Sequence, residues 1–175
     1  MAAIFPTSRK ESFFSLKYKL WFNFFPAFRA SGGKVVFASN DWHEVHLMFK
    51  LCRKTRNYHG TGFGGAIYSS LDPIYPMQFI FILGPEYVIW DKSATIEYIR
   101  PIDKNVYAKF ELSEEIIQLV KDEVSTNGRY FITLPVEYRD LDGNIYARAT
   151  KTVYIGSKAH YDKRKREKMT LTDIK

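Results

Sequence analysis

A chain of 175 residues, 46 % hydrophobic and 17 % aromatic, is long enough for one domain with a substantial core and too apolar to stay disordered. Its single cysteine, Cys52, excludes an internal disulfide framework, and no apolar run approaches the roughly 18 residues of a membrane span, so a reducing, cytoplasmic setting is expected. The net charge of +7 is uneven: residues 158 to 175 hold seven basic and three acidic side chains, more than half of the excess. The opening "MAAIFPTSRKESFF" has no apolar core followed by a small-residue cleavage site, so it does not read as a secretory signal.

In chain order, "FFSLKYKLWFNFFPAF" comes first, with Phe13, Leu16, Leu20 and Phe24 near helical spacing and Lys17 and Lys19 elsewhere on the wheel. Such a helix either lies over the domain's edge, burying its aromatics, or rests in a membrane interface; the first arrangement is the expected one, because the alternative leaves a large apolar patch exposed. "KVVFA" and "EVHLMFKL" flank a turn at Asn40-Asp41 and predict a half-buried hairpin, with Val45, Leu47, Phe49 and Leu51 inward and His46, Met48 and Lys50 outward. After a glycine-rich segment, "AIYSSLDPIYPMQFIFILG" is apolar on nearly every side, the pattern of a helix enclosed by protein, with Pro73 and Pro76 kinking it. "YVIWDKSATIEYIR" predicts one long strand, and "NVYAKFEL" a second, with Val106, Ala108, Phe110 and Leu112 inward. "SEEIIQLVKDEVSTNG" predicts a helix capped by Ser113 and stopped at Asn127-Gly128. A final hairpin turns at Asp142-Gly143, and Pro135 in its first arm marks an edge position or a bulge. The order is helix, two strands, enclosed helix, two strands, helix, two strands: an α+β arrangement in one domain over residues 1–156, followed by a basic tail over 157–175. That tail is either a solvated terminus or a grip on nucleic acid, anionic lipid or the phosphates of a nucleotide-bearing molecule.

The glycine-rich segment "NYHGTGFGG" raises the chemical question. A helix that starts directly after it presents unpaired backbone amides and the positive end of its dipole, which suits a phosphate or a developing oxyanion. Gly64 and Gly65 are the natural donors. Asp72 follows roughly two turns later and either acts as a base or nucleophile or merely caps a second helical segment that begins at Pro73. Asp91, inside a strand, needs a basic partner other than Lys92, which points the other way, and an ion pair of structural purpose is expected. Cys52 has no accompanying histidine arrangement, and the four histidines lack metal-ligand spacing, so neither thiol catalysis nor a metal is expected.

The element order and the segment "NYHGTGFGG…LDP", with "YVIWDKSATIEYIRP" after it, resemble the hotdog fold, in which a curled antiparallel sheet wraps one long central helix. They look like its small acyl-CoA thioesterases of the phenylacetyl-CoA type, and more closely like a domain-of-unknown-function branch of that superfamily, over about residues 20 to 156. The family's asparagine, His-Gly-Gly and aspartate correspond to Asn57, Phe63-Gly64-Gly65 and Asp72, with Phe63 in place of the histidine. The resemblance implies hydrolysis of an acyl-CoA or carrier-bound thioester without a cofactor. Gly65 and Gly64 would polarise the thioester carbonyl, Asp72 would activate water or attack, and Asn57 would orient substrate or water. Phe63, His59 and Thr61 would line the substrate, and His59 either supplies the missing imidazole or packs in the loop. It also implies a homodimer or homotetramer joined through the edge "VIWDKSATIEYI", in which Trp90 and Tyr98 are core or interface residues. Because phenylalanine cannot make histidine's hydrogen bonds, a non-catalytic binder of acyl chains or thioesters is the alternative.

Overall fold

Ser12 opens the first helix of the computed structural model, which describes residues 4–172. Its hydroxyl accepts from the Ser15 N–H while the Ser15 hydroxyl accepts from the Ser12 N–H, a reciprocal cap on α1 (Phe13–Phe24). Pro26, which needs no donor partner in a first turn, begins the short α2 (Pro26–Ala30). The chain then runs through β1 (Gly33–Ala38), β2 (Glu44–Phe49), α3 (Gly64–Leu71), α4 (Ile74–Leu83), β3 (Tyr87–Tyr98), β4 (Val106–Glu111), α5 (Glu114–Asn127), β5 (Arg129–Arg139), β6 (Ile145–Ser157) and α6 (Lys158–Thr172). The strands form one six-stranded sheet in the order β1-β2-β4-β5-β6-β3, with every pairing antiparallel. This is the α+β arrangement the sequence predicts, with β1 and β3 as the two edges. Ser113 caps α5 by accepting from Ile116 N–H, and Gly128 closes it at φ 73°.

The enclosed apolar segment is two helices rather than one. Pro73 and Pro76 have no N–H to continue the ladder, so the expected kink becomes a break at Asp72-Pro73 between α3 and α4. The rod packs on the sheet and bonds to β5 and to the turn between β1 and β2. Ser70 shares a 2.6 Å hydrogen bond with Tyr138 of β5, Tyr75 donates to the Pro135 carbonyl at 2.6 Å, and Gln78 donates to the Trp42 carbonyl at 2.8 Å. Between these ties Ile67, Leu71, Ile74 and Phe79 are buried with Val106, Ala108, Phe110 and Leu112. Pro135 occupies a local edge: β4 reaches β5 only at Tyr107–Arg139, so the missing donor of Pro135 interrupts no β4 pairing.

Two expectations are corrected. The outer face of β2 is not solvated, because residues 4–7 lie across it: His46 is fully buried, 2.6 Å from Glu44 and packed edge-on to Phe5. The apolar stripe expected to be covered on α1 is not buried: Phe13, Leu16, Leu20 and Phe24 are exposed, as is Trp21, while Tyr18 and Phe22 are partly buried against the core and Ser15 and Lys19 face the protein. The basic tail is helical from Lys158 onward, and Tyr161 meets Trp90 edge-on, with ring centroids 5.4 Å apart; residues 173–175 lie outside the described residues.

Candidate functional site

Two halves of the expected site lie at opposite ends of α3. At its amino end, the Asn57 side chain accepts from the backbone N–H groups of His59 (2.9 Å) and Thr61 (3.2 Å) and donates to the Thr61 hydroxyl (3.0 Å). Asn57 and Thr61 therefore shape the loop, while His59 stays exposed against the ring of Tyr58. The loop is seated by bonds from Gly62 N–H to the Ile102 carbonyl and from Phe63 N–H to the Thr55 carbonyl. The first helical bond runs from Ile67 N–H to the Phe63 carbonyl, and no side chain caps the end, so the amides of Gly64, Gly65 and Ala66 precede the ladder. Phe63, 56 % exposed, stands beside them. Tyr98 of β3 donates to the Gly64 carbonyl at 2.9 Å. A Cβ on Gly65 would lie 2.7 Å from the Phe63 ring, and one on Gly64 would lie 3.0 Å from the Tyr98 hydroxyl.

Asp72 lies at the other end, about 10 Å along the axis at 1.5 Å per residue, so within one chain it does not reach the Gly65 amide. It does not cap α4 either; its carboxylate accepts from Tyr68 Oη at 2.9 Å and from Lys151 Nζ at 3.0 Å. Lys151, with no solvent exposure, also donates to the Asp72 carbonyl at 2.5 Å and to Asp91 Oδ2 at 2.8 Å. The partner that Asp91 requires is thus Lys151 on β6, and one ammonium joins two carboxylates from separate elements.

The backbone aims Asp91 there by a bulge. Asp91 pairs with Val153 but Ser93 with Thr152, so Lys92 is the extra residue. The shift lets Ile89 and Ile96, an odd number of positions apart, both pack on the core. Burial pushes the Asp91 carboxyl up to about 6; Lys151 opposes that shift and the neighbouring Asp72 charge adds to it. Its Oδ1 is buried with no hydrogen-bond partner among the described residues. Burial, together with the bond to Asp72, raises the Tyr68 hydroxyl to about 12, so it remains a donor.

Both carboxylates border a cleft of about 500 Å³ between α1, α4 and β3, whose walls include Tyr18, Trp21, Met77, Ile80, Phe81 and Trp90. On the far side of Trp90 lies a second cleft, of about 210 Å³, bordered by Tyr154, Tyr161, Arg164 and Lys165. Sequence reasoning passed over Lys151 and Tyr68. The signal for Lys151 was present: it sits on the inward side of β6 in the alternation Ala147, Ala149, Lys151, Val153, Ile155, where a cation demands a buried carboxylate.

Residues 18–155 match the family described as Domain of unknown function (DUF4442). Among solved structures, a Pseudomonas aeruginosa protein of unknown function described as a probable thioesterase superimposes with a TM-score of 0.71 at 16 % identity, covering 86 % of this chain and 99 % of that one. A Chlorobaculum tepidum protein of unknown function gives 0.67 at 17 % identity over 82 % of this chain and 94 % of that one. A Haemophilus influenzae thioesterase gives 0.62 at 11 % identity over 86 % and 96 %. No curated protein matches the sequence.

Proposed function

Because the chain belongs to the DUF4442 family, and structures described as thioesterases share its fold, we propose that it is a hotdog-type hydrolase of acyl-CoA or related thioesters, working as a homodimer or larger oligomer. The observation that carries this reading is the way β3 touches both halves of the site. Tyr98 is bonded to Gly64, and Asp91 is tied through Lys151 to Asp72. β3 is an edge strand, and an exposed edge of 12 residues invites a partner. Antiparallel self-pairing centred on Thr95, with the bulge residue Lys92 left unpaired, sets Tyr98 of one copy opposite Asp91 of the other. The amide-bearing end of α3 from one protomer then faces the carboxylates of its partner.

In this arrangement the acyl chain lies in the apolar cleft and the thioester oxygen accepts from the amides of Gly64 and Gly65. Asp72, bonded to Lys151 and Tyr68, takes a proton from water as the hydroxyl adds to the acyl carbon. The C–S bond then breaks, and the proton passes to the departing thiolate. Direct attack by Asp72 followed by hydrolysis of the anhydride gives the same products. The cleft volume falls within the about 300–1,000 Å³ of small-molecule sites.

Phe63 favours a second reading, binding without hydrolysis, because it offers no hydrogen bond where the related thioesterases have histidine. Thiol release from acyl-CoAs of increasing chain length, with calorimetric binding in parallel, separates the two. Turnover that Asp72→Asn abolishes supports the hydrolase. Binding without turnover supports the second reading, and neither binding nor turnover refutes both.

A further inference from the structure

α1 is amphipathic in the reverse sense for a helix that packs on a sheet. Ser15, Lys19 and Asn23, four apart, face inward. Lys19, 5 % exposed, donates to Glu11 at 2.6 Å and to the Val36 carbonyl at 3.3 Å. Asn23 accepts from Val35 N–H at 2.7 Å and donates to the Val35 carbonyl at 2.8 Å, and Glu11 accepts from Ala38 N–H at 3.1 Å. These side chains take up the hydrogen-bonding groups along the free edge of β1. With the polar stripe spent on that edge, the apolar stripe faces outward: Phe13 is 85 % exposed, Leu20 50 %, Trp21 63 % and Phe24 68 %.

The charge carried by this stretch of chain is of one sign. From Ser12 to Asn40 the chain carries Lys17, Lys19, Arg29 and Lys34 and no acidic residue. Lys17 and Arg29 are exposed, and Lys17 stands among the apolar side chains of α1, where its stem can lie along them with the ammonium at a headgroup. An aromatic face with interspersed cations fits an anionic lipid surface. A second copy of this chain, itself at +7, fits less well, because this stretch of the face offers no carboxylate to meet the other's cations.

We infer that α1 docks the protein on an anionic lipid surface by laying its Phe13–Leu20–Trp21–Phe24 face among the headgroups. Trp21 also walls the apolar cleft, and Ile80, half exposed, carries the apolar surface from α1 to the cleft's rim. If the thioesterase reading holds, and this consequence rests on it, the acyl chain enters the cleft from the lipid side.

The test is flotation of the full chain with phosphatidylcholine vesicles, with and without phosphatidylserine, beside Leu20→Asp/Phe24→Asp and Lys17→Glu. Leu20 and Phe24 border neither cleft, so the double variant keeps its circular dichroism spectrum, its urea midpoint and any hydrolysis of soluble acyl-CoA. The wild-type chain is expected to float with the anionic vesicles, less so as salt rises, with a blue shift in Trp emission that Trp21→Phe removes. The double variant should bind about tenfold more weakly or worse, since charge replaces apolar area in the interface. Lys17→Glu should weaken binding to anionic vesicles more than to neutral ones. Failure of the folded wild-type chain to float overturns the inference, as does equal binding by the double variant. An oligomer that dissociates in the double variant, with no vesicle binding, would assign the face to a second copy instead. None of these outcomes depends on thioester hydrolysis.

Discussion

Lys151 Nζ lies 2.8 Å from Asp91 Oδ2 with its side chain closed to solvent, so an ion pair inside the cleft wall couples β6 to the β3 edge. The same ammonium holds Asp72, whose side chain is 43 % exposed. Removing the cation leaves Asp91 partly buried beside another carboxylate. Lys151→Met is expected to lower stability by about 2–3 kcal/mol, somewhat less than for a fully buried pair because Asp72 reaches water. Urea unfolding measures this, and adding Asp91→Asn should recover part of the loss; an unchanged midpoint in the single variant would contradict the geometry.

The pH dependence follows from Asp91. Its carboxyl is raised from the usual 3.8 to about 6, burial being the main cause, against the pull of Lys151 and with the help of Asp72. Between those values the folded chain binds more protons than the unfolded one. The contribution of this group is therefore fully present below about pH 4, is lost as pH rises through about 6, and is flat above. Asp91→Asn should remove that decline, which urea midpoints between about pH 4 and 7 will show. If Asp91 also titrates in catalysis, the profile of kcat/KM should bend near 6 in the wild-type chain and not in the variant.

At the other end of α3, Gly65→Ala sets a methyl against the Phe63 ring, which is exposed and free to swing away. Folding stability should change by less than about 1 kcal/mol, since alanine favours the helix. The amide donor survives the change, so thioester turnover should fall by about 10²-fold only through the methyl displacing the thioester oxygen from it. A variant with full turnover would remove Gly65 from the proposed chemistry.

The reversed polarity of α1 makes an unusual forecast. Asn23→Leu extends the apolar character of the helix yet should destabilise the chain by about 1–2 kcal/mol, because both Val35 backbone groups lose their partner. Thermal unfolding decides it; a rise in stability would mean that the β1 edge does not depend on Asn23.

Self-pairing along β3 predicts that Thr95→Asp, an exposed change near the proposed two-fold, brings like charges together. Light scattering should report half the wild-type mass with unchanged circular dichroism. Retention of the wild-type mass would place the contact elsewhere.

Much of the architecture was legible from pattern alone, for reasons that single residues make plain. Val106, Ala108, Phe110 and Leu112 alternate because β4 has one face on the core, and Ser113 and Gly128 bracket α5 because helix ends need local partners. The misread elements are those whose burial depends on something distant. Leu20 and Asn23 cannot disclose which side of α1 is covered, since that turns on the free edge of β1; His46 is buried between Phe37 and residues 4–7, which fold back over it.

The order of elements from α1 to β6, the apolar rod and the disturbance its prolines bring were determined by the sequence itself, because periodicity and proline geometry act over a few residues. Only the tertiary structure decided that Asp72 shares a buried lysine with Asp91 and stands a helix length away from Gly65. Those relationships join α3, β3 and β6, and electrostatic contact depends on separation in space, to which spacing along the chain gives no access.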